Sequence, residues 1–393
     1  MFFSYFFFYG LLNLNFFLEI PTGIPSGLMR LTTFGLAGFF VLKDFSNGEY
    51  PRMTASIICL GVFLLYYFCV FVVDENVFGS NFDMSTGSSM QRGKLEVAYL
   101  FFISGLSYFL MFFAGRRRMA YVLANPSLVY IPSLLSVLII IATNARAFGT
   151  LDLYQTYLYD FGDVRRAAII APVGTLISVS PYLMFFSKNR LCNFFWGPLG
   201  CAAALMCVLI SDSRSTILAM FLVLVFYAFV SIRHVYSMVY ALIVYISGAV
   251  LFIPYLLMSA AFSRFMNIEK ILDYDLVESD QLSRIELIKA GFSQFLDSPI
   301  LGGHIYLIGG GYSHCTPICI LYSTGLIGFS LVLTCIAGVL KGMFAAVKIF
   351  REKIIWICAL GIFDVVGMLI HGVFCGSFAV FLMANAFMSE RCN

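Results

Sequence analysis

Charge is what this 393-residue chain has least of: Asp, Glu, Lys and Arg together make up 11% of it, against 61% hydrophobic and 17% aromatic residues. A water-soluble protein of this length needs far more polar surface than that. No long basic tract is present and the formal net charge is only +3, so nucleic acid is excluded as a partner. The eleven cysteines include no Cys-x-x-Cys pair and mostly lie singly within apolar runs. They read as small buried hydrophobes, which removes both a disulfide framework and a metal knuckle. There is no internal repeat, no coiled coil, no Gly-x-x-x-x-Gly-Lys loop and no His-Glu-x-x-His, so neither ATP nor zinc chemistry is signalled. The first apolar run is preceded by no basic residue and followed by no convincing cleavage site. It is expected to be a retained span, not a signal peptide.

What is present is apolar length. The mean hydropathy is +0.93, and apolar stretches fall at about 1–18, 28–42, 54–73, 95–113, 127–143, 167–186, 191–210, 214–230, 235–258, 317–340, 354–370 and 373–389. Each is near the length of a helix that crosses the hydrocarbon. The expected fold is therefore all-α and polytopic, with about twelve transmembrane helices. A long kinked helix is the alternative for the last two, around His371-Gly372. Lys and Arg gather in the even-numbered loops, at Arg116-Arg117-Arg118 and between Lys341 and Lys353, while acidic residues favour the odd loops. That pattern places both termini in the cytoplasm and the odd loops on the far side.

Three regions follow: helices 1 to 9 over residues 1–258, a large exported loop over 259–316, and the C-terminal helices over 317–393. Within the loop, Ser283-x-x-Glu286 has capping-box spacing. Leu282, Ile285, Ile288, Phe292 and Phe295 recur at helical intervals. An amphipathic helix lying on the bundle is predicted, ended at Asp297-Ser298 by Pro299. Gly302-Gly303 and Gly309-Gly310-Gly311 then permit sharp turns that fold the loop back over a cavity.

Several polar residues stand where such a cavity would open. Arg214 and Arg284 have the bidentate geometry to grip a diphosphate; the plainer reading pairs Arg214 with Asp212, and Arg284 with Glu286 or Asp280. His314 sits where the loop re-enters the membrane, and an imidazole with an ordinary pKa of about 6.5 suits acceptance of a sugar hydroxyl proton. A helix start, or a chance metal-like cluster with Cys315 and Cys319, are the other readings, and His304 reads more as a turn residue. Tyr154, Tyr157, Tyr159 and Asp160 carry the chemistry of saccharide binding, with Arg165 and Arg166 beside them for phosphate. Tyrosines at span edges are equally ordinary interfacial anchors. Asp364, an acid inside an apolar run, belongs either to a structural polar network or to a cavity lining.

The order Arg284, Pro299-x-x-Gly302, Ser313-His314 and Gly325-Leu326-Ile327-Gly328, with Ser213-Arg214 at the head of a span, resembles the O-antigen polymerase and ligase superfamily. His314 stands eleven positions before Gly325, in keeping with the family pattern, but Cys315 replaces its usual Asn. With the span arrangement, the resemblance covers nearly the whole chain. It implies a type C glycosyltransferase of the bacterial inner membrane, working on the periplasmic side with inversion and without a metal or cofactor. Its donor and acceptor would be undecaprenyl-diphosphate-linked oligosaccharides, with membrane lipids around it and a chain-length regulator as a partner. His314 would activate the acceptor, and Arg214, Arg284, Arg165 and Arg166 would hold the diphosphate. The polymerase is favoured; a ligase onto lipid A-core and a flippase or transporter are the alternatives.

Overall fold

The computed structural model describes residues 35, 38–48, 54–74, 113, 123–144, 164–211, 214–231, 239, 284–308, 313 and 315–371. Over these residues the chain is all-α. Its principal helices are α1 (Ala55–Val73), α2 (Ser127–Asn144), α3 (Val164–Phe186), α4 (Gly197–Ser211), α5 (Arg214–Ser231), α6 (Arg284–Asp297), α7 (Thr316–Phe350) and α8 (Ile355–His371). A π-turn, Cys192–Trp196, leads into α4, and a 3-10 turn, Arg351–Ile354, leads from α7 into α8.

The helices pack in two groups. In the first, α3 is the hub against which α2, α4, α5 and α8 lie. Every described side chain from Pro172 to Met184 is buried. The close approach depends on small residues. The Phe363 ring of α8 lies over Gly174, and Gly200 of α4 faces Ser180 and the ring of Tyr130. Three of the hydroxyls carried into this core bond within their own helices: Ser133 donates to the Val129 carbonyl at 2.9 Å, Ser136 to Pro132 at 2.9 Å and Ser178 to Gly174 at 2.7 Å. This i−4 bonding is how a hydroxyl enters an apolar helix contact without an orphaned donor. Two tyrosines tie separate helices together, Tyr130 donating to the Trp196 carbonyl and Tyr227 to that of Ser178. Pro181, which has no N–H for the Ile177 carbonyl, interrupts the helical ladder in the same turn.

In the second group α1 and α6 both pack on α7, which also meets α8. Phe63 of α1 clusters with Ile320 and Val332, while Phe295 and Leu307 close around Tyr322. The helix α6 stops at Asp297, two residues ahead of Pro299. Its packed face differs from the predicted one. Leu287, Gly291, Gln294 and Phe295 turn inward, whereas Ile288 and Phe292 are exposed. Gly291 explains the rotation, because a helix with no Cβ there settles against Ile318 and Tyr322.

The twelve-span architecture is corrected. Among the described residues two helices are long and apolar enough to cross a membrane, Ala55–Val73 and Thr316–Gly338. Four of the expected spans are represented by shorter apolar helices, Ser127–Leu138, Pro172–Phe186, Cys192–Val208 and Thr216–Val230. The expectation over 28–42 meets helical residues 38–46, and α8 has 17 residues. The physical reason lies in α3: its apolar residues are enclosed by neighbouring helices, and a short apolar run reads the same whether protein or lipid surrounds it. The multi-pass inner-membrane localisation and its periplasm-facing site fall with the twelve spans, since the loop-charge count presupposed them. Lys341 and Lys348, assigned to a loop, lie within α7. The expected spans 1–18 and 373–389 lie outside the described residues, as do 95–113 and 235–258 apart from single positions.

Candidate functional site

The polar centre of the second group is the passage from Ser298 to Ile308, which is fastened to all three helices around it. Its first fastening is a break in α7. Gly325 has φ 60° and ψ −162°, conformations open to glycine and costly to other residues, so the helical ladder is interrupted there. The exposed backbone groups find partners in the loop: Gly303 N–H donates to the Ser323 carbonyl at 3.1 Å, Leu326 N–H to Pro299 at 2.9 Å and Ile327 N–H to Ile300 at 3.3 Å. Gly302, also at positive φ, lets the two backbones touch. A Cβ on Gly302 would strike the backbone of Ser323 and Thr324, and one on Gly325 the Ile300 carbonyl. Pro299-x-x-Gly302 and Gly325-Leu326-Ile327-Gly328 are thus two halves of one joint. The turn closes on itself through Gly302 N–H to the Ser298 carbonyl at 2.9 Å and Ser298 Oγ–H to the Gly302 carbonyl at 2.6 Å.

The second fastening is Gln294, buried on α6. Its Nε2 donates to the Tyr306 carbonyl at 3.0 Å and its Oε1 accepts from Ile308 N–H at 2.9 Å. The third fastening belongs to α1. Tyr66 Oη–H donates to the Leu301 carbonyl at 2.5 Å. About two turns beyond, where α1 ends, the fully buried carboxylate of Asp74 accepts from Ile305 N–H at 2.7 Å and meets His304 Nδ1 at 3.2 Å.

The pair has a chemical use. The His304 side chain keeps 36% of its surface exposed while that of Asp74 keeps none. In the tautomer that donates Nδ1–H to Asp74, Nε2 carries the lone pair and accepts a proton. A carboxylate behind such an imidazole orients it and stabilises the cation formed. Asp74, Gln294 and Tyr66 are residues that sequence reasoning missed. An acid directly after a 19-residue apolar run was the available signal for Asp74, but its partner lies 230 positions away.

The predicted site residues are distributed across both groups. Arg284 opens α6 in the loop-bearing group, whereas Arg214 opens α5, whose main partners are α8 and α3. Arg165 and Arg166 lie in the first turn of α3. The main helix contacts therefore do not bring Arg214 together with Arg284. His314 lies outside the described residues, as do Tyr154, Tyr157, Tyr159 and Asp160. Of its neighbours, Ser313 is buried, with its Oγ 3.2 Å from the Cys315 carbonyl and 3.1 Å from Cys319 Sγ. Asp364 is buried in α8, which packs on α5, α3 and α7. No set of three His, Cys, Asp or Glu residues capable of holding a metal occurs among the described residues.

No family model matches the chain, and no curated protein matches it.

Proposed function

We propose that this chain is a glycosyltransferase acting on lipid-linked saccharides, an O-antigen polymerase that joins undecaprenyl-diphosphate-linked oligosaccharide repeat units. One observation carries the reading: the sequence elements of the resemblance, Pro299-x-x-Gly302 and Gly325-Leu326-Ile327-Gly328, meet as one joint beside a carboxylate-held histidine. In the proposed reaction an acceptor hydroxyl attacks the anomeric carbon of the donor sugar. The new glycosidic C–O bond forms as the bond to the diphosphate breaks, and undecaprenyl diphosphate leaves with the electron pair. The hydroxyl proton passes to a histidine of the 304–314 segment, either His304, which Asp74 orients, or His314, as the resemblance implies. Arg284, which opens α6 in the same helix group as the joint, supplies positive charge for the diphosphate, and Tyr154, Tyr157, Tyr159 and Asp160 supply the saccharide contacts.

Expression of the chain in cells lacking a polymerase, and separately in cells lacking a ligase, tests the reading. Long chains regained from single-repeat material are the expected result. Regained attachment of chains already polymerised would reassign the protein as a ligase, and unchanged polysaccharide in both strains would overturn glycosyl transfer. Once transfer is established, His304→Asn and His314→Ala assign the base. Asn retains a donor toward Asp74 but lacks Nε2, so loss of activity by about 10²-fold or more in that variant places the proton on His304.

A further inference from the structure

The surface of α6 is divided into three sectors. Leu287, Gly291, Gln294 and Phe295 face the protein; Glu286, Lys289, Ser293 and Asp297 form a polar strip on the opposite side. Between them runs an exposed apolar stripe, Ile288, Phe292 and Leu296, which continues past the helix end through Ile300 and Leu301. An exposed apolar band of this kind, rimmed by polar residues, calls for a partner. It is continuous with exposed apolar side chains of both candidate spans. Leu326 and Ile327 of α7 are hydrogen-bonded to Pro299 and Ile300, and Tyr66 of α1, bonded to Leu301, follows exposed Val62 and Leu65.

Depth is the second observation. Thr316 begins the candidate span of α7 and Gly325 stands nine residues further on, roughly 14 Å at the helical rise. The chain descends along α7 from Gly291 at Ile318 and Tyr322 to Pro299–Gly302 at the Gly325 break. It then returns to His304 and Ile305 at the end of α1. Irregular backbone at such depth must have its polar groups satisfied by protein. The Pro299, Ile300, Leu301, Gly302 and Tyr306 carbonyls all accept hydrogen bonds, and the Gly302, Gly303, Ile305 and Ile308 amides all donate them.

We propose that residues 284–308 form a re-entrant membrane element. It enters one leaflet beside α1 and α7, turns at Pro299–Gly302 and leaves again, with Ile288, Phe292, Leu296, Ile300 and Leu301 against lipid acyl chains. The polar strip of α6 faces water on the other side, so the element separates lipid from the aqueous approach to the Asp74–His304 pair. This assignment does not depend on glycosyl transfer.

The test uses the full chain reconstituted in phosphatidylcholine vesicles with plain or brominated acyl chains. Phe292→Trp and Ser293→Trp sit on adjacent sectors of the same helix, and the parent chain supplies the background from Trp196 and Trp356. The added emission of the Phe292→Trp protein is expected to fall about twofold or more in brominated vesicles, while that of Ser293→Trp responds to aqueous acrylamide instead. Acrylamide quenching of both positions without bromine quenching would overturn the proposal. So would a Phe292→Trp signal shielded from both quenchers, which would show a protein partner on this face. Failure of the folded chain to enter the vesicles would overturn it as well.

Discussion

The α2–α5 and α8 bundle and the loop-bearing group of α1, α6 and α7 both bond buried hydroxyls to carbonyls four residues back, as Thr324 of α7 does to Ile320 at 2.8 Å, but differ in the polar bonds they add to these. In the bundle, Ser133, Ser136 and Ser178 each bond to a carbonyl four residues back on the same helix. Such bonds are complete before any helix meets another, so they satisfy polarity without selecting a neighbour or a register. In the other group the decisive bonds join distant positions: Tyr66 to Leu301, Asp74 to His304 and Ile305, and the Gly325 break to Pro299–Gly303. These bonds exist only when α1, α6 and α7 are all in place. Packing alone can define the bundle, but the loop needs a specific assembled partner at each fastening. That difference fits a bundle that serves as scaffold and a loop that must hold chemistry in one geometry.

The largest expected effect comes from setting one glycine of each group against the other. Gly325→Ala combines a left-handed φ with a collision against the backbone carbonyl of Ile300, an obstacle that cannot swing aside. A loss of about 3 kcal/mol or more is expected, read as a collapse of the thermal unfolding midpoint in detergent. Gly174→Ala meets the ring of Phe363, a side chain that a small helix displacement can relieve. The expected cost there is about 1–3 kcal/mol. Equal losses in the two variants would erase the distinction between a backbone joint and a side-chain contact.

Asp74→Ala comes next, because it strips a buried acceptor from Ile305 N–H and from His304. A cost of about 2–3 kcal/mol is expected, concentrated in the loop. Asp74→Asn keeps an amide oxygen for Ile305 N–H and should recover part of it. Hydrogen exchange makes the check: faster exchange at Ile305 and Ile308, with α3 amides unchanged, separates the groups, whereas uniform acceleration would make them one cooperative unit. Gln294→Leu is a milder form of the same break. It leaves the Tyr306 carbonyl and Ile308 N–H unsatisfied while retaining bulk, and about 1–2 kcal/mol of local opening is expected, measured as faster proteolysis near residues 305–308.

How much of this was legible in the sequence differs between the same two regions. The end of α6 was legible, because Pro299 acts locally on the residues before it. The pairing of Pro299-x-x-Gly302 with Gly325-x-x-Gly328 was visible as order and spacing but not as contact. Nothing local says that two glycines 23 positions apart share one backbone crossing. The packed face of α6 was misjudged because Ile288 and Phe292 are as apolar as Leu287 and Phe295, and periodicity does not say which side meets protein. The span count failed for a related reason in the bundle. The apolar residues of α3 carry no mark of whether lipid or other helices will surround them. The assignment of Asp74 was out of reach, since a carboxylate after an apolar helix shows its role only when residues 304 and 305 arrive from the far end of the chain.

The smallest expected effect tests one of the bundle's two cross-helix tyrosine bonds. Tyr227 reaches from α5 to the Ser178 carbonyl of α3 near Pro181, a cross-helix bond in a region where Ser133, Ser136 and Ser178 bond within their own helices. Tyr227→Phe keeps the ring in the core and removes only the donor. A backbone carbonyl that loses one of several polarising partners remains close to helical N–H groups, so the cost should stay near 0.5–1.5 kcal/mol, about that of a single net hydrogen bond. Unfolding midpoints of the variant and the parent measure it directly. A loss as large as that of Asp74→Ala would mean that the α3–α5 contact also depends on a specific polar latch, and the contrast between a packed scaffold and a fastened loop would then give way to two latched halves. A loss within the expected range leaves packing around Gly174 and Phe363 as the main source of the bundle's order, with the tyrosine adding direction to a contact that already exists.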